Sequence, residues 1–150
     1  MNALLTAIVL WLTANFDLPA INQHPHVEFV PPATITALRY KETAGGQPSS
    51  PANSVHAGQR DVVAVYDAAT STIYLAEGWS GKTPAELSVL VHEMVHHLQS
   101  RANLKFECPR GREKLAYEAQ ERWLQLFGRD LERDFDIDGF TRLLITSCYF

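Results

Sequence analysis

Between Thr83 and Arg101 the local signals for one long helix all agree, and such a helix dictates what the rest of the chain must supply. Thr83 is an N-cap, Pro84 stands at the first helical position, and Glu86 completes a capping box. Behind the cap, Leu87, Leu90, Val91, Met94, Val95 and Leu98 recur at helical spacing. With His92 set at zero and about 100° per residue, these apolar side chains fill an arc from roughly 160° to 300°. That side has to lie against a core. On the same wheel His96 falls at roughly 40° and Glu93 at roughly 100°, so these polar groups face a cleft.

The remaining chain reads as the material for that core. Its 150 residues are 46% hydrophobic and 20% charged, enough for one domain over residues 1–150. Asn2 to Phe16 reads as a helix packed on the core and stopped before Pro19. Its apolar run, Ala3 to Leu12, has no basic flank and no A-x-A-like site after it, and it is shorter than the roughly 20 residues of a membrane span. Val27 to Val30 and Ile35 to Tyr40, separated by Pro31-Pro32, read as short strands, and Asp61 to Tyr66 with Thr72 to Leu75 reads as a hairpin around the polar Asp67 to Ser71. Lys41 to Arg60, rich in Gly, Pro and Ser, reads as a long solvated loop, with an active-site lid as the minority reading. Arg112 to Phe127 is expected as a helix ending at Gly128, and Asp138 to Thr146 as a last short one. The sum is an α+β domain: a small antiparallel or mixed sheet with helices against it.

His92-Glu93-Met94-Val95-His96 carries the chemistry. Histidines at i and i+4 share one face of a helix, so both imidazoles reach a single ion. Glu93 lies beside them without sharing their line, as suits a general base that takes a proton from water whose pKa an ion has lowered toward about 7. Zinc (Zn2+) is the expected cofactor. His97, at roughly 140° on the wheel, points away and reads as a histidine supporting the ligands from behind, or a simply hydrogen-bonded one, rather than as a ligand.

Catalytic zinc usually takes three protein ligands and leaves one position for water. The helix after the histidines offers Glu113, Glu118 and Glu121. Glu118 borders the apolar arc of that helix, Glu113 lies past its other border, and Glu121 is on the solvated side. Glu118 and Glu113 both remain candidates on this ground.

The stretch from Val62 to Phe127 resembles the gluzincin branch of the zincin metallopeptidases, in particular its minimal single-domain members. The resemblance is carried by Thr72-Ile73-Tyr74-Leu75, by Val91 to Gln99 around the two histidines, and by Tyr117-Glu118-Ala119-Gln120. It implies a zincin-like fold, hydrolysis of a peptide bond in a peptide or protein substrate, and Glu118, followed by alanine, as the third metal ligand. It also implies that Thr72 to Leu75 edges the cleft and pairs with an extended substrate. The metzincin continuation is absent, since Gln99 to Phe106 holds neither histidine nor glycine. Tyr40, Tyr117 and Tyr149 are unranked candidates for steadying the oxyanion.

Other functions are disfavoured. A net charge of −4 and the lack of a Lys/Arg cluster argue against nucleic acid. Asp134 to Gly139 imitates an EF-hand opening, but its twelfth position is Ile145, and Asp138 reads as a helix cap. His24 and His26 read as surface residues. Cys108 and Cys148 allow one disulfide, which would favour an exported or periplasmic location over the cytoplasm. The alternative to an enzyme is a catalytically inactive zincin-like module that binds metal or peptide, and a third reading is a structural ion with four protein ligands.

Overall fold

The computed structural model describes residues 1–43 and 64–149, the helix end at 40–43 by its backbone alone. In chain order these residues form α1 (Asn2–Asn15), β1 (His26–Val30), α2 (Pro32–Thr43), β2 (Ala64–Asp67), β3 (Thr72–Ala76), α3 (Pro84–Arg101), a 3-10 turn (Pro109–Arg112), α4 (Glu113–Gln125), α5 (Leu131–Phe135) and α6 (Gly139–Thr146). The architecture is mixed α/β, with six α-helices and one three-stranded mixed sheet among the described residues. None of these helices is long and apolar enough to cross a membrane.

The sheet runs β1-β3-β2, with β1 parallel and β2 antiparallel to β3. Alternation along each strand sorts its side chains between two layers. Ala64, Tyr66, Ile73 and Leu75 join the main core with α1 and α3, while Val65, Tyr74 and Ala76 meet Ile35 and Leu38 of α2 on the other face. The turn between β2 and β3 is fixed by Asp67, whose carboxylate accepts from the Ala69 amide and the Thr70 hydroxyl, each at 3.0 Å.

Two expectations are corrected here. Ile35 to Tyr40 is not a strand but part of α2. The apolar pattern of Ile35 to Tyr40 suggests extension, yet Pro32 at the helix start presets its angle, and Ile35 and Leu38, three apart, pack on one stripe against the sheet. That helix closes the second face of the sheet, which the strand reading left open. Thr72 to Leu75 also does not edge a cleft: β3 is hydrogen-bonded on both sides and has no free edge to offer a substrate. Of the loop expected over 41–60, residues 41–43 belong to α2 and the rest, with any lid, lies outside the described residues, as do 61–63 of the expected strand.

α3 begins where its cap signals place it. The Thr83 side chain accepts from the Glu86 amide at 3.1 Å, and the Glu86 carboxylate reaches back to the Ser80 and Lys82 amides. Every residue from Ser88 to Gln99 is buried. α1 contributes Leu5, Ile8 and Leu12 to the same core, and Leu90, Met94 and Leu98 are fully enclosed, each burial contributing about 1.5–3 kcal/mol. The side of α3 that the wheel left for a cleft is instead covered by α4.

α4 starts one residue later than expected, after the 3-10 turn, and chain reversal occurs at Gly128, whose φ of 69° suits glycine. The unexpected α5 is capped by Asp130, and Leu131 joins Leu124 and Ile137 in a small second core. Asp138 caps α6 by accepting from the Thr141 amide at 2.7 Å, as its position implied. A disulfide between Cys108 and Cys148 ties the turn before α4 to the residues after α6.

Candidate metal centre

Three ligand atoms converge between α3 and the start of α4. His92 Nε2 lies 3.0 Å and His96 Nε2 3.2 Å from Glu113 Oε2, and the two Nε2 atoms are 3.3 Å apart. His92, His96 and Glu113 form the only group of three or more His, Cys, Asp or Glu ligand atoms found together among the described residues. The histidines are 5% and 8% exposed, so the group is shielded from bulk water and its charges interact strongly.

The carboxylate that joins the two imidazoles is Glu113. Glu118, expected in that role, is exposed on α4 and does not meet the imidazoles. The reason is helical phase. Ala116, Ala119, Gln120 and Leu124 are the buried residues of α4. Glu113 stands at i−3 from Ala116 and i−7 from Gln120 on that stripe, whereas Glu118 projects from the opposite side. Glu121 is spent elsewhere, accepting from the Leu131 amide at 2.8 Å.

The donor set fits a divalent transition metal. Four-coordinate zinc with bonds of about 2.0–2.1 Å separates its ligand atoms by roughly 3.3–3.4 Å, close to the sides of this triangle. Two imidazoles disfavour calcium and magnesium, which take oxygen ligands. Three protein donors also leave a tetrahedral position over.

Electrostatics respond to the same convergence. Burial would lower the His96 pKa, but the Glu113 charge and hydrogen bond, with help from Glu93 and Gln99, raise it from 6.5 to about 9. Burial likewise works against the Glu113 carboxylate, yet the two imidazoles hold it well below the usual range. Without an ion, His96 at neutral pH is therefore an imidazolium paired with Glu113.

Around this triangle stand groups that the sequence had not singled out. Gln120 Oε1 lies 2.9 Å from His92 Nδ1, and Gln99 Oε1 lies 3.0 Å from His96 Nδ1. Glu93, 3% exposed, has its Oε1 3.7 Å from an Arg39 nitrogen, and the same nitrogen donates to the Ala64 carbonyl. Gln99 and Gln120 are amides in otherwise buried helix stripes, which is the signal that could have found them. Arg39 carries no such signal, because the pattern of its segment suggests a strand and a helix places it elsewhere.

Of the three tyrosines, Tyr117 is at the site. It sits one turn after Glu113, its ring centroid is 4.6 Å from that of His92, and burial together with Glu113 and Glu93 raises its pKa, so it stays protonated. Tyr149 is remote, donating to Glu107 at 2.8 Å, and the side chain of Tyr40 lies outside the described residues. His97 is a hydrogen-bonded core residue, as expected: its Nε2 donates to the Gln23 carbonyl at 2.7 Å and its Nδ1 accepts from Tyr66.

No curated protein and no solved structure matches this chain. One family does match it, over residues 1–148, and the chain belongs to that family, described as a domain of unknown function (DUF6647).

Proposed function

We propose that this chain is a zinc-dependent peptidase of zincin-like type, with His92, His96 and Glu113 as metal ligands and Glu93 as general base. The observation that carries this reading is the convergence of both Nε2 atoms and Glu113 Oε2 within 3.3 Å, next to a buried carboxylate. An ion held there would polarise an amide carbonyl and lower the pKa of a water.

The chain's own groups supply the rest. Glu93 takes the proton from the attacking water on one carboxylate oxygen and delivers it to the leaving amine, while Arg39 holds that carboxylate from the α2 side. Tyr117, kept protonated and packed edge-on against His92, would donate a hydrogen bond to developing negative charge, and that ring contact supports it over Tyr149. A purely structural ion would call for a fourth protein ligand, and the described residues offer three. The disulfide supports an oxidising compartment outside the cytoplasm.

Burial of Glu93 and both histidines favours one rival, a module that binds metal without turnover. Cleavage of an unbiased peptide library, read by mass spectrometry, separates the two. The wild type is expected to cleave, and Glu93→Gln to bind zinc at the same stoichiometry with activity lowered at least about 100-fold, as loss of a general base does. Equal activity of the two proteins, or no cleavage by either, would refute the enzyme reading.

A further inference from the structure

Each imidazole of the triangle is held from behind by a side-chain amide, and both amides can be oriented from fixed points. Gln99 Nε2 donates to the Arg112 carbonyl at 3.0 Å. A carbonyl only accepts, so the oxygen of that amide faces His96 Nδ1, which must therefore carry hydrogen. On the other side Ser88 Oγ donates to the Ala85 carbonyl at 2.7 Å, which leaves its lone pair for Gln120 Nε2 at 3.2 Å. The Gln120 oxygen then faces His92 Nδ1, which must also carry hydrogen. Both chains of reasoning end on a backbone carbonyl, and both leave Nε2, the nitrogen beside Glu113, as the one on each ring that an ion would take in place of a proton.

The two amides also cross between the elements that carry the ligands. Gln99 stands on α3 and reaches the residue before Glu113; Gln120 stands on α4 with Glu113 and reaches α3 at His92 and Ser88. Gln99, Gln120 and Ser88 are 3%, 4% and 0% exposed. Buried amides are costly unless satisfied, and an apolar pair would hold two helices together without that cost.

We propose that Gln99 and Gln120 are reciprocal positioning residues of the metal centre. Each fixes the Nδ1–H tautomer and ring orientation of one ligand histidine while setting the spacing between α3 and the Glu113 end of α4. This rests on the metal reading above, and outer partners of ligand histidines typically account for about 10–100-fold in metal affinity.

The test uses zinc and the full chain. Gln99→Leu, Gln120→Leu and Gln120→Glu are compared with the wild type by chelator competition, by the melting temperature of the zinc-free protein, and by imidazole N–H resonances of the zinc-loaded protein. Each Leu variant is expected to bind zinc about 10–100-fold more weakly. Gln120→Glu, which keeps an acceptor for His92 Nδ1–H, restores the affinity to within about threefold of wild type on the same outer-partner argument. The wild type shows hydrogen on Nδ1 of both His92 and His96. Wild-type affinity in the Leu variants, with only the melting temperature lowered, would overturn the proposal, as would zinc-loaded wild type carrying hydrogen on Nε2 of either histidine. That resonance measurement decides the matter should the Leu variants fail to fold. A wild type that binds no zinc would overturn the metal reading and this proposal together, whereas zinc binding that the variants retain overturns this proposal alone.

Discussion

Zinc binding should be strongly linked to pH through His96. In the zinc-free protein Glu113, opposing the effect of burial, raises the His96 pKa from 6.5 to about 9, so a proton occupies the place where the ion must bind. Binding at neutral pH expels that proton. At pH 7, two units below about 9, proton competition weakens zinc binding about 100-fold relative to its value above pH 9. The apparent association constant should therefore climb about tenfold per pH unit between pH 7 and 9 and then flatten. Chelator competition at fixed free zinc measures this, and calorimetry in two buffers of different ionisation enthalpy counts the released proton, expected to be about one at pH 7. The zinc-free fold should show the opposite trend. A raised histidine pKa stabilises fully below 6.5 and its contribution is lost as pH rises through about 9, whereas the lowered Glu113 pKa stabilises above 4.5 and its contribution is lost as pH falls through its depressed value. From pH 6.5 to 9 the melting temperature of the zinc-free protein should fall while the shift produced by zinc grows. A binding constant that stays flat between pH 7 and 9 would refute the pairing of His96 with Glu113.

Two further outcomes follow from the same geometry. Glu113→Gln should cost more zinc affinity than the roughly 10–100-fold typical of losing an outer partner, while Glu118→Gln should bind zinc like the wild type; chelator competition on both variants reverses the assignment of the third ligand if the losses are exchanged. Replacing Cys108 and Cys148 by serine should lower the unfolding free energy by about 2–4 kcal/mol, read from denaturant midpoints, and equal midpoints for wild type and variant would refute a stabilising disulfide.

Local signals were legible where several of them agreed. Thr83, Pro84 and Glu86 name the start of α3, and Asp138 names that of α6, because a cap acts through hydrogen bonds within one turn. Where two readings share residues, tertiary placement decided. Thr34 to Arg39 has a β-branched start and a helical apolar spacing, and the open face of the sheet selects the helix. The central position of β3 was illegible for a similar reason: its parallel partner β1 lies more than forty residues earlier, and no local pattern announces such a pairing.

The site divides along the same line. His92, Glu93 and His96 are one turn of one helix, so their shared face is a matter of arithmetic. Which carboxylate joins them depends on how α4 is rotated against α3, and a wheel drawn on large apolar residues answers a different question. Leu126 and Phe127 are exposed in the structure, and the residues of α4 that let α3 approach are Ala116 and Ala119. Small side chains mark the line of closest approach, and the polar groups able to reach across lie at its flank: Glu113 at one end, Gln120 a further two turns along. Polar residues one turn along from the buried alanines of a helix therefore point to the ligand more directly than a carboxylate at the border of a bulky apolar arc: Glu113 stands three before Ala116 and Gln120 four after it. In α4 that criterion selects Glu113 and Gln120 together and passes over Glu118.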